Sequence, residues 1–520
     1  MEAEKRKILY DKSCKLLKES NNCKKGDQLD IFEKWEELND DQQYELVCET
    51  VSSGWNFPTI SIVHMMKHKF KYEFEKENYL ESALTLLQSQ ALALRHQTLH
   101  QYFKRLQNNE SDKLTEMQQS VLSFTNESND NKKLLEKIQH LPKHWRIVQL
   151  SVDDQHMESR FKKTPTEKAV NSNFALKLVT IECGTNDITV HKIKAIPNRD
   201  KMPSLTQELQ EILDLHVLMY KKDLEKDKYK QIRSDVDSRM ESLIRVMEEK
   251  WLGYAKVLLL GRQWSDNDNN ISKHCENLQK QFFPNDVKFV SSGRRKLLHK
   301  VLDGFNYLTD DQIMKAVLKI NLGYDHPDLL ERITTLGKTL IELPKRHPTV
   351  LILDKEIQGL PWESLVCLQK HPITRIPSIH QLMVLHLTQS QKDQSVPKTG
   401  IRQDKIFYVL NPDQNLAKTQ ARLEPTFASM SIKEGITGEQ PSYPQMKKVL
   451  SEMDAFIYCG HGSTLTNFSN QEIDKLNARA VPLLFGCNSG KLERLGRQLD
   501  PIGTLSKVIR KCGLGKNYDN

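Results

Sequence analysis

The sequence lacks any run of about 18 apolar residues, the length that a membrane-spanning helix needs. Its first residues, MEAEKRKILYDK, are charged and contain no apolar core like that of a secretory signal peptide. Nine cysteines are scattered through 520 residues without the spacing of a disulfide framework. These absences predict free thiols, a reducing compartment such as the cytosol or the nucleus, and no membrane partner.

A strong excess of one charge is also missing. Lys and Arg together number 76 and Asp and Glu 68, and the basic residues are spread along the chain. A solvated surface of mixed charge explains this balance better than a nucleic-acid groove, so we expect no direct nucleic-acid partner. No repeat of fixed period is present, which argues against a long solenoid.

The length predicts about three domains, since one domain averages about 150 residues. Residues 1–140 have helical and irregular patterns. Residues 141–387 combine strand patterns with a long helical insert at 203–250 and are predicted to form an α+β region. A polar segment at 388–404 is the clearest linker, and 405–520 is predicted to form the last domain.

The last domain alternates apolar strand patterns with short helical patterns. The strands are KIFYVLN, DAFIYCG and AVPLLFG, and amphipathic segments such as QMKKVLSEM and QEIDKL lie between them. Continuous apolar strands that alternate with helices are typical of a parallel sheet covered by helices. The predicted fold class is therefore α/β.

Two reactive side chains follow the apolar strands of this domain. His461 lies between Gly460 and Gly462, and Cys487 follows Gly486. In open parallel sheets the functional groups gather beyond the carboxyl ends of the strands. Glycine allows a sharp turn and a close approach of substrate, and it leaves backbone N–H groups free to bind an oxyanion.

A histidine beside a cysteine stabilises the thiolate, which is the nucleophilic form. The pattern therefore favours a Cys–His dyad for acyl transfer, with peptide hydrolysis as the reaction. Two alternatives stay open: Cys487 is a packing residue, as single buried cysteines usually are, or the thiol belongs to a zinc site. The zinc ligands would be Cys459, His461, Cys487 and Cys512, although Cys487 has no close partner in the sequence.

Several segments, in order along the chain, resemble the separase family of caspase-like cysteine proteases. They span about 141–505 and include the histidine and cysteine segments described above. The matching segments are LPKHWRIVQLS, EEKWLGYAKVLLLG, LPWESL, ITRIPSI, FYVLNPDQNLAKTQARLEP, GITGEQPSYPQMKKVLSEMDAFIYCGHGS and LLFGCNSGKLERLG. One glycine-flanked histidine would be weak support, but this ordered set is specific.

The resemblance implies a caspase-like α/β domain at 405–520, preceded by a substrate-binding, pseudo-protease-like region at 141–387. It implies that Cys487 is the nucleophile and that His461 is the general base. The backbone N–H groups of Cys487 and Gly462 would form the oxyanion hole. No metal ion and no organic cofactor is implied, and the resemblance assigns no substrate-binding residues.

The resemblance also implies a substrate and partners. Separases cut the kleisin subunit of cohesin after an arginine that follows an acidic residue by three positions, which releases sister chromatids at anaphase. A securin-type inhibitor occupies the cleft as a pseudosubstrate. Some small separases work with a separate helical subunit, which is therefore a possible partner here. The expected location is the cytoplasm and the nucleus, around mitotic chromosomes and the spindle.

Three features depart from the family pattern. Ser463 and Thr464 stand where a small residue and glycine are usual, and Asn488 replaces a serine after the nucleophile. The family's Trp-Asp motif, which helps to hold the substrate arginine, has no match before Asn520, so a short form with a truncated C-terminus is expected. The alternative function is a catalytically impaired separase relative that binds securin or cohesin without cleavage.

Overall fold

A computed structural model describes the following parts of the chain. They are residues 39–52, 59–92, 94–95, 98–99, 121–122, 130–153, 175–184, 187–196, 204–219, 224–264, 267–340, 345–390, 395–461, 479–486, 492–493 and 502–503. Within these residues, no helix has both the length and the apolar character that crossing a membrane requires.

A five-stranded mixed sheet forms the centre of the first compact unit. Its strands are β1 (Arg146–Val152), β2 (Leu176–Glu182), β3 (Ile188–Ile193), β4 (Thr349–Leu353) and β5 (Ile373–Arg375), in the order β3-β2-β1-β4-β5. The first three strands are antiparallel neighbours, whereas β4 and β5 join in parallel. Every residue of β1, β2 and β4 is buried, which includes polar side chains such as Arg146, Gln149 and Glu182.

Four helices precede β1 in the sequence. They are α1 (Asp40–Ser52), α2 (Thr59–Glu75), α3 (Tyr79–Ser89) and α4 (Asp130–Ile138). The side chain of Gln149, in the middle of β1, donates to the Leu86 carbonyl at 2.9 Å. Gln90 donates in the same way to the Leu353 carbonyl at 3.0 Å. Helix α3 therefore packs on one face of the sheet.

The other face of the sheet carries the main apolar core. Val148, Leu150 and Val152 alternate along β1 and pack with Trp251 and Trp362 in this core. The segments that contribute to it are α5 (Leu205–Leu218), α6 (Lys226–Arg245), a π-helical turn (Val246–Leu252), a 3-10 segment (Gly253–Leu259), α7 (Asn267–Phe282), α8 (Lys288–Ser291), α9 (Arg294–Asp303), α10 (Asp310–Ile320) and α11 (Pro327–Thr339).

A buried charged cluster lies at the end of α9. The Asp303 carboxylate accepts from Lys300 Nζ at 2.9 Å and from Arg346 Nη1 at 2.8 Å. All three side chains are almost fully buried. Burial alone would raise the pKa of Asp303, but the charges of Lys300 and Arg346 hold it well below its usual value. Burial also lowers the pKa of Lys300, to about 8.

The second compact unit contains a four-stranded parallel sheet. Its strands are β6 (Ile406–Leu410), β7 (Glu434–Thr437), β8 (Ala455–Cys459) and β9 (Val481–Leu484), in the order β7-β6-β8-β9. Its helices are α12 (Ile379–Ser390), α13 (Val396–Thr399), α14 (Ala417–Ser429) and α15 (Tyr443–Glu452). The predicted α/β class is confirmed, while the predicted QEIDKL helix lies outside the described residues.

Apolar packing covers both faces of this parallel sheet. On one face, Phe427 of α14 packs with Ile457 of β8. On the other face, Met446 of α15 packs with Val409 and Phe456. A short antiparallel pair, β10 (Leu492–Glu493) with β11 (Ile502–Gly503), follows in the sequence.

The division into compact units differs from the predicted domain boundaries. One unit comprises 1–90 and 125–377, and the other comprises 91–124 and 378–520. The helices before residue 90 thus belong with the mixed sheet, to which α3 is hydrogen-bonded. The predicted linker at 388–404 falls inside the second unit and includes α13. The roles assigned to the predicted domains stay predictions.

Replacing Asp303 tests the stabilising role of the buried charged cluster. The Asp303→Asn substitution would leave Lys300 and Arg346 buried without their counter-charge, which should cost about 3–5 kcal/mol of unfolding free energy. Urea unfolding followed by circular dichroism measures this cost. Asp311→Asn is the matched control, because Asp311 pairs with Lys315 on the exposed face of α10 and should cost less than about 1 kcal/mol. Equal losses of unfolding free energy in the two variants would refute a special stabilising role for the buried charged cluster.

Candidate active site

The candidate site lies at the carboxyl edge of the parallel sheet. All four strands of that sheet run in one direction, so the segments that follow them begin at a common edge. His461 follows β8 at this edge, and its side chain is exposed to solvent. His461 thus stands at the carboxyl end of a parallel strand, while its role as general base stays a prediction.

The register of β8 and β9 relates His461 to Cys487. The first four residues of β8 each pair with the residue 26 positions later, so that Ala455 faces Val481 and Tyr458 faces Leu484. The same offset separates His461 from Cys487. Cys487 and Gly462 lie outside the described residues, so the dyad and the oxyanion hole stay predictions.

The pairing of these two strands extends to their carboxyl ends. The Phe485 N–H, just after β9, donates to the Tyr458 carbonyl at 2.8 Å. The described part of this segment ends at Gly486, which directly precedes Cys487. The two strands are therefore hydrogen-bonded up to the last residues before the candidate catalytic segments.

The turn between β8 and His461 requires a glycine. A Cβ atom placed on Gly460 would lie 2.6 Å from the Tyr458 hydroxyl and 2.9 Å from Cδ of Pro412. Both distances are shorter than ordinary van der Waals contact, so a larger residue would displace the turn. Here the glycine permits close packing of neighbouring segments around the histidine.

The loop after β6 is hydrogen-bonded to the end of β8. The Asn411 N–H donates to the Cys459 carbonyl at 2.8 Å. The Asn411 backbone has φ of 50°, in the left-handed region that asparagine tolerates better than most residues. Its side chain accepts from the Leu416 N–H at 2.7 Å and donates to Gln420 at 2.8 Å. Asn411 thus holds the Leu-Asn-Pro segment against the strand that leads to His461.

The same loop is also connected to the segment after β7. Gln414 donates from its side chain to the Gly438 carbonyl at 2.7 Å. Gln440 donates to the carboxylate of Asp413 at 2.9 Å. Hydrogen bonds therefore link the segments that follow β6, β7 and β8 at this edge of the sheet.

A buried carboxylate joins β8 and β9 at the opposite, amino edge. Asp454 accepts from Arg479 at 2.6 and 2.9 Å, and from the backbone and side chain of Arg402 at 3.2 and 3.0 Å. The Asp454 carbonyl also accepts from the Val481 N–H at 2.9 Å. Burial alone would raise the pKa of Asp454, but the hydrogen bonds from Arg479 and Arg402 hold it below its usual value.

The position of Cys459 bears on the alternative of a zinc site. Its side chain lies in an apolar cluster with Leu410, Phe427 and Ile457. Burial raises the pKa of the Cys459 thiol, which disfavours the thiolate that zinc binds. Among the residues that the structure describes, no cluster of three or more potential metal ligands occurs. Cys459 is therefore better explained as a packing residue.

Two residues of the LPWESL segment, Trp362 and Glu363, have structural partners within the first unit. Trp362 is fully buried, and its indole N–H donates to the Ile357 carbonyl at 2.9 Å. Glu363 pairs with Arg375, which also donates to the Leu360 carbonyl at 3.0 Å. The contacts of Arg375 connect the LPWESL segment to the ITRIPSI segment, and the indole hydrogen bond anchors the buried Trp362.

Comparison with known proteins now decides the family. A family model described as the protease domain of separin matches residues 166–510, which is well over half of the chain. The chain belongs to the separase family. The predicted family and the caspase-like α/β fold are thereby confirmed, and the match includes the positions of His461 and Cys487.

Curated separases match only through a small part of their own length. Separin of Mus musculus is 34% identical over 280 residues, which are 53% of this chain and 13% of the mouse protein. Separin of Emericella nidulans is 27% identical over 404 residues, which are 71% of this chain and 19% of the fungal protein. The chain thus matches about a fifth or less of these separases.

Solved structures of a separase show the same fold. A crystal structure of the Saccharomyces cerevisiae separase–securin complex matches 98% of this chain and 36% of the yeast chain, with a TM-score of 0.58 and 16% identity. A second crystal structure of the yeast complex matches 94% of this chain with a TM-score of 0.56. At this identity the likeness is one of fold.

Sequence reasoning missed three residues that shape the two edges of this separase sheet. Asp454 directly precedes the apolar strand β8, but its partners Arg479 and Arg402 are distant in the sequence. Tyr458 and Asn411 stand inside matching segments without an assigned role. The one signal in the sequence that could have found Asp454 is its position as an isolated acidic residue directly before a buried strand.

Replacing Asp454 tests the connection between β8 and β9. Asp454→Asn removes the charge that Arg479 and Arg402 bind, and it should cost about 1–3 kcal/mol of unfolding free energy. Because the folded pKa is lowered, the stabilisation is present above the unfolded carboxyl pKa of about 4 and is lost as pH falls below it. Denaturant unfolding at pH 7 and at lower pH measures both effects.

Asp404 provides the control for this experiment, because it is an exposed aspartate close to β6. Asp404→Asn should change the unfolding free energy by less than about 0.5 kcal/mol. If Asp454→Asn is no less stable than this control at pH 7, the carboxylate does not hold the two strands together.

Proposed function

We propose that this chain is a separase-type cysteine endopeptidase with Cys487 as nucleophile and His461 as general base. The register of β8 and β9 is the observation that supports this best, because its offset of 26 residues equals the separation of the two side chains. Neighbouring strands lie about 4.8 Å apart. The two segments that leave a pair of parallel strands at the same register therefore start about this far from each other.

The proposed reaction follows from these two groups. His461 accepts the thiol proton of Cys487, and the thiolate attacks the carbonyl carbon of the scissile peptide. The N–H groups of Cys487 and Gly462 bind the oxyanion of the tetrahedral intermediate. The imidazolium then protonates the leaving amine, and water hydrolyses the remaining thioester. The exposure of His461 is consistent with access of a peptide substrate.

The proposed substrate is the kleisin subunit of cohesin, cut after an arginine that follows an acidic residue by three positions. Its cleavage would release sister chromatids at anaphase. A securin-type inhibitor is the proposed partner, and the solved yeast structures with this fold are complexes of separase with securin. A separate helical subunit is a further proposed partner. The proposed location is the cytoplasm and nucleus, near mitotic chromosomes and the spindle.

Cleavage of a kleisin fragment that contains one acidic-x-x-Arg site tests this function. Cys487→Ser and His461→Ala should each lower kcat/KM by at least about 10³-fold, because removal of either member of such a dyad disables the nucleophile. Gel analysis of the fragment with time measures the rate. Replacing the arginine of the site in the fragment should abolish the cut.

Cys48→Ser and His144→Ala are the matched controls. Cys48 is a half-buried thiol and His144 an exposed imidazole, both in the first unit. Both variants should cleave at the unmodified rate. If Cys487→Ser also cleaves at that rate, the assignment of the nucleophile is wrong.

Labelling with an arginyl acyloxymethyl ketone distinguishes an active protease from a catalytically impaired relative. This probe alkylates an activated thiol beside an arginine-binding pocket, and mass spectrometry locates the label. Labelling of Cys487 supports the protease. Binding of a securin peptide without labelling or cleavage would instead identify a binding protein without activity.

A further inference from the structure

The hydroxyl of Tyr458 makes a contact that the family resemblance leaves unexplained. Tyr458 lies in β8, three residues before His461, and its side chain is 2% exposed. Its ring packs among Val409, Met446 and Phe456 on one face of the sheet. The hydroxyl reaches past the end of the strand and donates to the His461 carbonyl at 2.7 Å.

This hydrogen bond acts on a peptide group that matters for the proposed reaction. The His461 carbonyl and the N–H of residue 462 belong to one peptide group, and a peptide group is planar with its C=O and N–H pointing in opposite directions in the usual trans form. Fixing the direction of the carbonyl therefore fixes the direction of that N–H. The N–H of Gly462 is the donor assigned above to the oxyanion hole together with that of Cys487.

The surrounding contacts leave the phenol little freedom to move. The position of a Cβ on Gly460 is only 2.6 Å from the Tyr458 hydroxyl and 2.9 Å from Pro412, so the turn closes tightly over the phenol. Asn411 holds the Pro412 loop in place through its 2.8 Å hydrogen bond to the Cys459 carbonyl. A donor that is fixed before substrate binds pays no reorganisation cost in the transition state.

We propose that Tyr458 is a positioning residue that orients the peptide group after His461, and with it one donor of the oxyanion hole. This inference rests on the proposed function for its catalytic consequence. The orientation itself is a property of the folded chain and can be measured without activity.

Tyr458→Phe tests the catalytic consequence, because it removes the hydroxyl and keeps the ring. Loss of a complete oxyanion donor costs about 10²- to 10³-fold in kcat, so a misdirected donor should cost about 10- to 100-fold. KM should change by less than about twofold, since the donor acts on the transition state. Active-site titration corrects kcat for any inactive fraction.

Tyr408→Phe is the matched control for this substitution. Tyr408 lies on the neighbouring strand β6, packs against Phe427 on the opposite face of the sheet, and its hydroxyl makes no hydrogen bond to a residue that the structure describes. This variant should keep both kcat and KM. An unchanged kcat in Tyr458→Phe, with cleavage by the parent protein intact, would overturn the catalytic role while leaving the proposed function standing.

A nuclear magnetic resonance experiment tests the orientation directly. His461–Gly462 is the single His-Gly pair in the sequence, so labelling histidine carbonyl carbons with 13C and glycine nitrogens with 15N gives one correlated signal. Tyr458→Phe should shift the signal and speed its amide exchange, whereas Tyr408→Phe should leave both unchanged. An unshifted signal in Tyr458→Phe would refute the proposal even if the parent protein shows no cleavage.

Discussion

The parallel pairing of β8 with β9 is the constraint on which the candidate site depends. A shift of this register by one residue would change which residues face each other and would turn every side chain of β9 to the other face. The pairing is held at both ends: Asp454 binds Arg479 at the amino edge, and the Phe485 N–H binds the Tyr458 carbonyl at the carboxyl edge. The offset of 26 residues is thus fixed by hydrogen bonds outside the reacting groups.

Around this pairing, hydrogen bonds between the loops organise the carboxyl edge. Asn411 ties the loop after β6 to the end of β8, and Gln414 ties the same loop to Gly438. Gly460 allows Pro412 and Tyr458 to approach the turn closely. A turn held from several directions can present a histidine and its neighbouring amide in one orientation, as electrostatic preorganisation of an active site requires.

The apolar strands, and the position of His461 directly after one of them, could be predicted because their signals are local. Apolar runs such as AFIYC end abruptly at glycine, and glycine at the carboxyl end of a parallel strand has a clear physical meaning. Strand β7 (EGIT) and strand β5 (ITR) were missed, because both are short and lack a buried apolar run. Asp454 was missed because its partners Arg402 and Arg479 are distant in sequence. Tyr458 was missed because only the folded turn after β8 brings the His461 carbonyl to its hydroxyl.

The central claim is that the two side chains after β8 and β9 lie opposite each other, and a disulfide measures this most directly. A disulfide forms only when the two Cα atoms are within about 7 Å. In a protein with the His461→Cys substitution, mild oxidation should therefore join position 461 to Cys487, as mass spectrometry of the digested protein would show, while His461→Ser gives no such bond. Failure to form this bond in the folded protein would contradict the account.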